Sequence, residues 1–149
     1  MTSIIDIEIG TSQERAAALL ADPANNSRWM EDLEVVAPIA GELGAVGSKY
    51  RMVQKEHGRE FVATVVAKDL PRVLHLELDA PDVWVSITDR LEPVSARRTR
   101  LVSMEIFDFK GLLQRALGLF ARHRIKEAHR RHMEAFKRFA EGDAAARRK

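Results

Sequence analysis

From residue 33 to residue 107 the chain repeats one pattern: short segments in which apolar and polar residues alternate, cut apart by turn-forming sequence. After Lys110-Gly111 it abandons that pattern for one long stretch with the period of a helix. The alternating segments are 34–40, 48–56, 60–68, 73–79, 83–91 and 99–107, and the breaks between them carry the glycines at 41, 44 and 47, His57-Gly58, Leu70-Pro71, Ala80-Pro81-Asp82 and Pro93-Val94-Ser95. A chain of this kind can make a meandering antiparallel sheet and one helix long enough to cover it. The expected helix runs from Leu112 to about Glu141, roughly 45 Å at 1.5 Å per residue.

Ahead of this run, Ile5, Ile7 and Ile9 alternate with Asp6 and Glu8, which predicts a further half-buried strand over 3–10. Thr11 or Ser12 offers an N-cap to a short helix with Ala16, Ala17, Leu19 and Leu20 on its apolar face. Pro23 ends that helix, and Asn25-Asn26-Ser27 begins a second short turn carrying Trp29. The predicted architecture is α+β. A strongly curved sheet in this order has a concave apolar face too large for short side chains to fill, and a cavity under the last helix is the expected result.

Period-2 alternation assigns the faces. On 48–56 the inward set is Tyr50, Met52 and Gln54, and on 60–68 it is Phe61, Ala63 and Val65. Leu74, Leu76 and Leu78 point in from 73–79, and Val83, Val85, Ile87 and Leu91 from 83–91, where Asp89 shares their face. On 99–107 Val102, Met104 and Ile106 are read as inward, with Leu101, Ser103 and Glu105 outward; a shift of one residue would bring Glu105 inside. The helix stripe is read as Leu113, Leu117, Phe120 or Ala121, Ile125, Ala128, His132, Phe136 and Phe139.

Several local patterns, in the right order over residues 5–141, resemble a known family. They are Asp22-Pro23 followed by Asn26-Ser27-Arg28-Trp29, then Gly47-Ser48-Lys49-Tyr50-Arg51, Leu70-Pro71-Arg72-Val73-Leu74, Arg90-Leu91-Glu92-Pro93, and the closing helix pattern from Met133 to Glu141. The chain is similar to the START, Bet v 1 and polyketide cyclase superfamily (SRPBCC), in its polyketide cyclase/dehydrase-like branch. The resemblance implies a helix-grip fold: a curved antiparallel sheet of about seven strands wrapped around a long C-terminal helix, with two short helices after the first strand. It further implies that Trp29 closes one end of the cavity. On this reading residues 1–141 form one ligand-binding domain, and 142–149 are a basic tail with no reason to order.

The function expected is the binding of a hydrophobic small molecule, lipid-like or an aromatic polyketide, between sheet and helix. Its contacts would come from Trp29, Tyr50, Met52, Gln54, Phe61, Ala63, Leu76, Leu78, Val85, Ile87, Met104, Leu117, Phe120 and Phe136. The alternative is an aromatase or cyclase in which pocket side chains move protons, with Tyr50, Asp89 and His129 as catalytic candidates. A cavity-wall Asp89 would have a raised pKa, but the plainer reading of this acid is a solvated strand-end residue or one paired with an arginine.

Other chemistry has little to rest on. The chain has no cysteine, so disulfides and thiolate chemistry are excluded. His129 and His132 lie three apart on a helix but have no third ligand at a metal-site spacing, and no motif calls for a cofactor. No apolar run approaches the roughly 20 residues of a membrane span, and the first residues lack a basic region followed by an apolar one, so the chain is expected in the cytoplasm. Net charge is +2 but uneven: from Lys110 onward 12 Lys and Arg face 4 acids, against 12 and 18 before it. Contact of the basic C-terminal helix with a membrane surface is conceivable but not favoured over a solvated face, and no nucleic-acid partner is expected.

Overall fold

A computed structural model describes the chain from Met1 to Lys149. The strands are β1 (Thr2–Ile9), β2 (Leu33–Ala40), β3 (Lys49–Gln54), β4 (Glu60–Asp69), β5 (Val73–Asp79), β6 (Val83–Ser95) and β7 (Arg98–Phe109). Helix α1 (Gln13–Ala21), a single 3-10 turn (Pro23–Asn25) and α2 (Asn26–Trp29) lie between β1 and β2, and α3 (Leu112–Phe120) and α4 (Arg122–Arg147) close the chain. The strands form one sheet in the order β1-β7-β6-β5-β4-β3-β2, each antiparallel to its neighbours. This is the curved α+β helix-grip architecture, with two short helices after the first strand.

Local chemistry sets the boundaries. The Ser12 hydroxyl accepts the Arg15 N–H at 3.2 Å and starts α1, and the Asp22 carboxylate accepts the Ala24 N–H at 3.0 Å to start the turn at Pro23. Shifts of register between Leu33 and Val35, Pro38 and Ala40, Val65 and Ala67, and Pro93 and Ser95 bend the strands. The loop between β2 and β3 turns on glycines with φ of 74° to 90°, and a Cβ on Gly44 would meet Pro23 Cδ at 3.2 Å. That loop therefore packs its backbone against the α1–α2 segment.

The core lies where the C-terminal half of α4 crosses β1 and α1. Met133, Phe136, Ala140 and Ala144 are buried there at helical spacing, against Ile5, Ile9, Ala16, Ala17 and Leu20. The Phe136 ring meets Trp29 edge-on with centroids 5.4 Å apart.

Four expectations change. The last helix is two helices: Ala121, with φ −90° and ψ 0°, ends α3, and the direction of the chain resets before Arg122. The buried stripe of α4 runs through His129, Met133, Phe136, Ala140 and Ala144, about one residue out of phase with the expected one, because alanines at 140 and 144 allow close approach to α1 and β1. The segment expected to be a disordered tail from Gly142 instead continues α4 to Arg147, held by two 2.9 Å contacts of Arg15 with Asp143 and by burial of Ala144.

The fourth change is the phase of β7. Leu101 and Ser103 are fully buried and Glu105 is half-buried on the concave side, whereas Val102, Met104 and Ile106 lie on the outer face. Both faces of this strand carry apolar residues, so alternation alone is ambiguous; the pairing of Leu101 with Leu91 and Ile7, both on the inner face, decides it. Phe136→Ala should therefore cost about 3–5 kcal/mol in urea denaturation, and Met104→Ala, despite a similar loss of apolar atoms, less than about half of that.

Candidate ligand cavity

Between the concave face of the sheet, α2 and the N-terminal half of α4 the packing opens into a hollow of two compartments, about 70 and 270 Å³. They share Met30, Met52, Leu78, Ile87, Glu105 and His132 on their walls, so they are adjacent. Trp29, Tyr50, Leu76 and Asp89 belong to the inner compartment, and Gln54, Phe61, Val85 and His129 to the outer one. Most of the lining is hydrophobic.

The structure brings to this wall most of the side chains expected to contact a ligand. Ala63 and Phe136 are instead fully buried in solid packing behind it. Met104 is on the outer face of the sheet, for the reason of phase just given, and Leu117 and Phe120 are exposed on α3, because that helix rests on Phe109 through Gly118 and carries them on its far side. These three are not cavity residues.

The polar part of the wall is built on β6 and β7. Asp89 is only 4% exposed and has no arginine partner, so the reading of it as a solvated or paired strand-end acid is wrong. Its neighbours across the sheet are Leu74 on β5 and Ser103 on β7. Burial pushes the Asp89 carboxyl up to about 6, against the opposing pull of a hydrogen bond from Ser103. Its Oδ1 has no hydrogen-bond partner, and neither has the Trp29 Nε1 on the same compartment wall.

His129 sits at the centre of a buried chain of hydrogen bonds. Its Nδ1 is 2.8 Å from the Ser3 hydroxyl, and its Nε2 is 3.0 Å from the Ser103 hydroxyl and 3.2 Å from Glu105 Oε1. Burial, and then the positive charges of His132 and Arg130, lower its pKa to about 4, so at neutral pH the ring is uncharged. Serine hydroxyls can rotate to donate or accept, so they satisfy a neutral imidazole in either tautomer.

Glu105 is the other buried carboxyl. Burial pushes it up to about 7; the Asp89 charge adds to the rise and His132 opposes it. It is diagonal to Asp89 across β6 and β7, since Asp89 pairs with Ser103 two residues away, a geometry that sets the backbones roughly 7–8 Å apart. Tyr50 is raised to about 12 by burial and stays a neutral phenol. His132, paired with Asp32 at 3.5 Å, is half-buried at the outer edge, so His129 and His132 occupy different environments.

Sequence reasoning read Ser103 and Glu105 as outward, with Glu105 inside only on a shift of one residue. Leu101, Phe107 and Phe109 share their phase, but Val102, Met104 and Ile106 make an equal claim for the other face. Two carboxyls raised by burial and a neutral imidazole thus stand on a mostly apolar wall.

This burial has a sign in stability. An acid whose folded pKa lies above its unfolded value holds its proton more tightly when folded, so stability is lost as pH rises between the two values. For Asp89 that window is from about 4 to about 6. Asp89→Asn should therefore gain on the wild type as pH is raised through this window, by on the order of 2–3 kcal/mol, and hold a constant advantage above it, measured by urea denaturation at each pH. A difference independent of pH would contradict the buried, ionisable Asp89.

The fold recurs in solved structures of low sequence identity. A Streptomyces aromatase/cyclase, Zhui, superposes with a TM-score of 0.76 at 18% identity, covering 100% of this chain and 96% of that one. A Thermus thermophilus protein gives 0.74 at 15% identity with complete coverage of both chains. Truncated norcoclaurine synthase from Thalictrum flavum gives 0.69 at 14% identity, covering 93% of each. No curated protein matches the sequence. The profile of the family described as polyketide cyclase / dehydrase and lipid transport matches residues 5–141, nearly the whole length, and the chain belongs to that family.

Proposed function

We propose that the protein binds a hydrophobic small molecule carrying at least one hydrogen-bonding group, taken up in the hollow between sheet and α4. The observation that carries this reading is a pair of unpartnered buried atoms on a mostly apolar wall: Asp89 Oδ1, an acceptor when ionised, and Trp29 Nε1, a donor. A buried polar atom without a partner costs free energy, and a ligand hydroxyl or phenol can satisfy both kinds at once. Apolar burial at about 25 cal/mol per Å² supplies the rest of the affinity.

A second reading, catalysis of the kind done by aromatases and cyclases, is favoured by one specific feature. Asp89 at about 6 and Glu105 at about 7 straddle the range in which a carboxyl both gives and takes protons at neutral pH. One carboxylate would remove a proton from a carbon between two ketone carbonyls. The enolate would attack a further carbonyl of the same chain, and the resulting alkoxide would take its proton from the other carboxylic acid.

Fluorescence titration with N-phenylnaphthylamine, a neutral apolar probe, tests the first reading. The expected result is saturable one-to-one binding with a dissociation constant in roughly the micromolar range, weakened at least about tenfold in Ile87→Trp, which fills the space shared by both compartments. Binding that never saturates, or that ignores Ile87→Trp in a folded variant, would refute it. For the second reading, Asp89→Asn and Glu105→Gln should each lower turnover of a poly-β-ketone by about a hundredfold or more.

A further inference from the structure

Helix α3 is at odds with every other element of the fold. Of its residues only Gly118 is buried, while Leu112, Leu113, Leu117 and Leu119 are each more than half exposed and Phe120 is 90% exposed. At about 100° per residue these side chains, with Ala116, occupy one continuous arc of roughly 160°. Gly118 lies on the opposite side of the helix, and there the backbone rests on Phe109: a Cβ at 118 would be 2.6 Å from the ring. The helix is therefore seated by its one bare point, with its apolar arc aimed directly away from the protein.

The charge along this stretch of chain is of one sign, with Asp108 at its edge beside Arg115 and Arg122. No acidic residue stands between Asp108 and Glu127, whereas Arg115, Arg122, Arg124 and Lys126 do, all exposed and none in an ion pair. Elsewhere Arg15, Arg59, Arg72, Arg98 and Arg100 each meet a carboxylate. Two copies of the chain meeting through α3 would bring these unpaired cations together, and like charges at short range oppose that contact. Anionic headgroups above an apolar layer complement both features at once.

We infer that α3 and the first turn of α4 form a docking surface for an anionic lipid membrane, with Leu112, Leu113, Leu117 and Phe120 entering the interface and Arg115, Arg122, Arg124 and Lys126 meeting the headgroups. No helix of the chain is long and apolar enough to cross a bilayer, so the contact is with its surface. The opposite side of α3 rests through Gly118 on Phe109, which lies on the wall of the outer compartment with Phe107 and Ile125. On the ligand-binding reading, which this consequence alone rests on, docking would bring the cavity close to the bilayer surface.

Co-sedimentation of the full-length protein with phosphatidylcholine vesicles, with and without phosphatidylglycerol, tests the docking. The protein should pellet with the phosphatidylglycerol vesicles several-fold more than with phosphatidylcholine alone, and a rise from about 0.05 to about 0.5 M salt should weaken that binding. Leu113→Ser with Phe120→Ser should lower the bound fraction about tenfold, and Arg122→Gln with Arg124→Gln should erase the preference for anionic vesicles. Neither pair lies on the cavity wall, so N-phenylnaphthylamine binding should persist in both, which separates a failure of docking from a failure of ligand binding and also reports the fold. No sedimentation with anionic vesicles, or sedimentation unchanged by the serine pair, overturns the inference. So does a wild-type dimer in analytical ultracentrifugation that dissociates in the serine pair, because a second copy would then cover α3.

Discussion

A sheet bent this strongly cannot fill its own concavity, and the rest of the molecule follows from how one helix deals with that space. The C-terminal half of α4 fills it at one end: Phe136 and Ala140 pack into the core with Ile5, Ile9, Ala16 and Ala17, and the small alanine lets the helix come close. The N-terminal half, around Ile125, Ala128 and His129, stands off from β3 to β6 and roofs the hollow. Solid packing at one end thus holds the roof in place over the other. A cavity of this kind survives because the packed end supplies the cohesion that the open end lacks.

The hollow also governs the electrostatics. Asp89 and Glu105 are pushed up because desolvation penalises their charge, and His129 is pushed down for the same reason. No buried ion pair is needed to tolerate them. Instead Ser3 and Ser103 supply hydroxyls that suit a neutral imidazole. The result is a wall with hydrogen-bond donors and acceptors on which burial has raised both carboxyls toward the neutral range.

The surface divides in a parallel way. Over the sheet, arginines and carboxylates pair across strands, as Arg100 does with Asp6 and Glu92. Such pairs contribute little stability each but leave a well-solvated face without a strong field. Around α3 the cations go unpaired beside exposed leucines, so the positive excess of the C-terminal part is concentrated where the apolar surface is.

Much of this was legible in one dimension. Turn-delimited alternation followed by helical periodicity determined the element order, and the inward sets at Tyr50, Leu76 and Ile87 were readable because their strands carry mostly polar residues on the other face, whereas Val62 and Val66 blur the phase at Phe61. Strand β7 was not readable in the same way, since Leu101 and Met104 make equally apolar claims on opposite faces and only register against β1 and β6 separates them. That phase is what brings Ser103 and Glu105 to the wall and leaves Met104 outside.

The helix break at Ala121 and the order of the last residues are likewise tertiary outcomes. Leucines on α3 fit a buried stripe as well as an exposed one, and it was the seating of Gly118 on Phe109 and the contact of Asp143 with Arg15 that decided their fates. Sequence by itself determined which elements form, because periodicity and turn chemistry are local. Which groups lose water, and so which carboxyls hold their protons more tightly, depended on contacts between residues far apart in the chain, and only the folded structure supplies those.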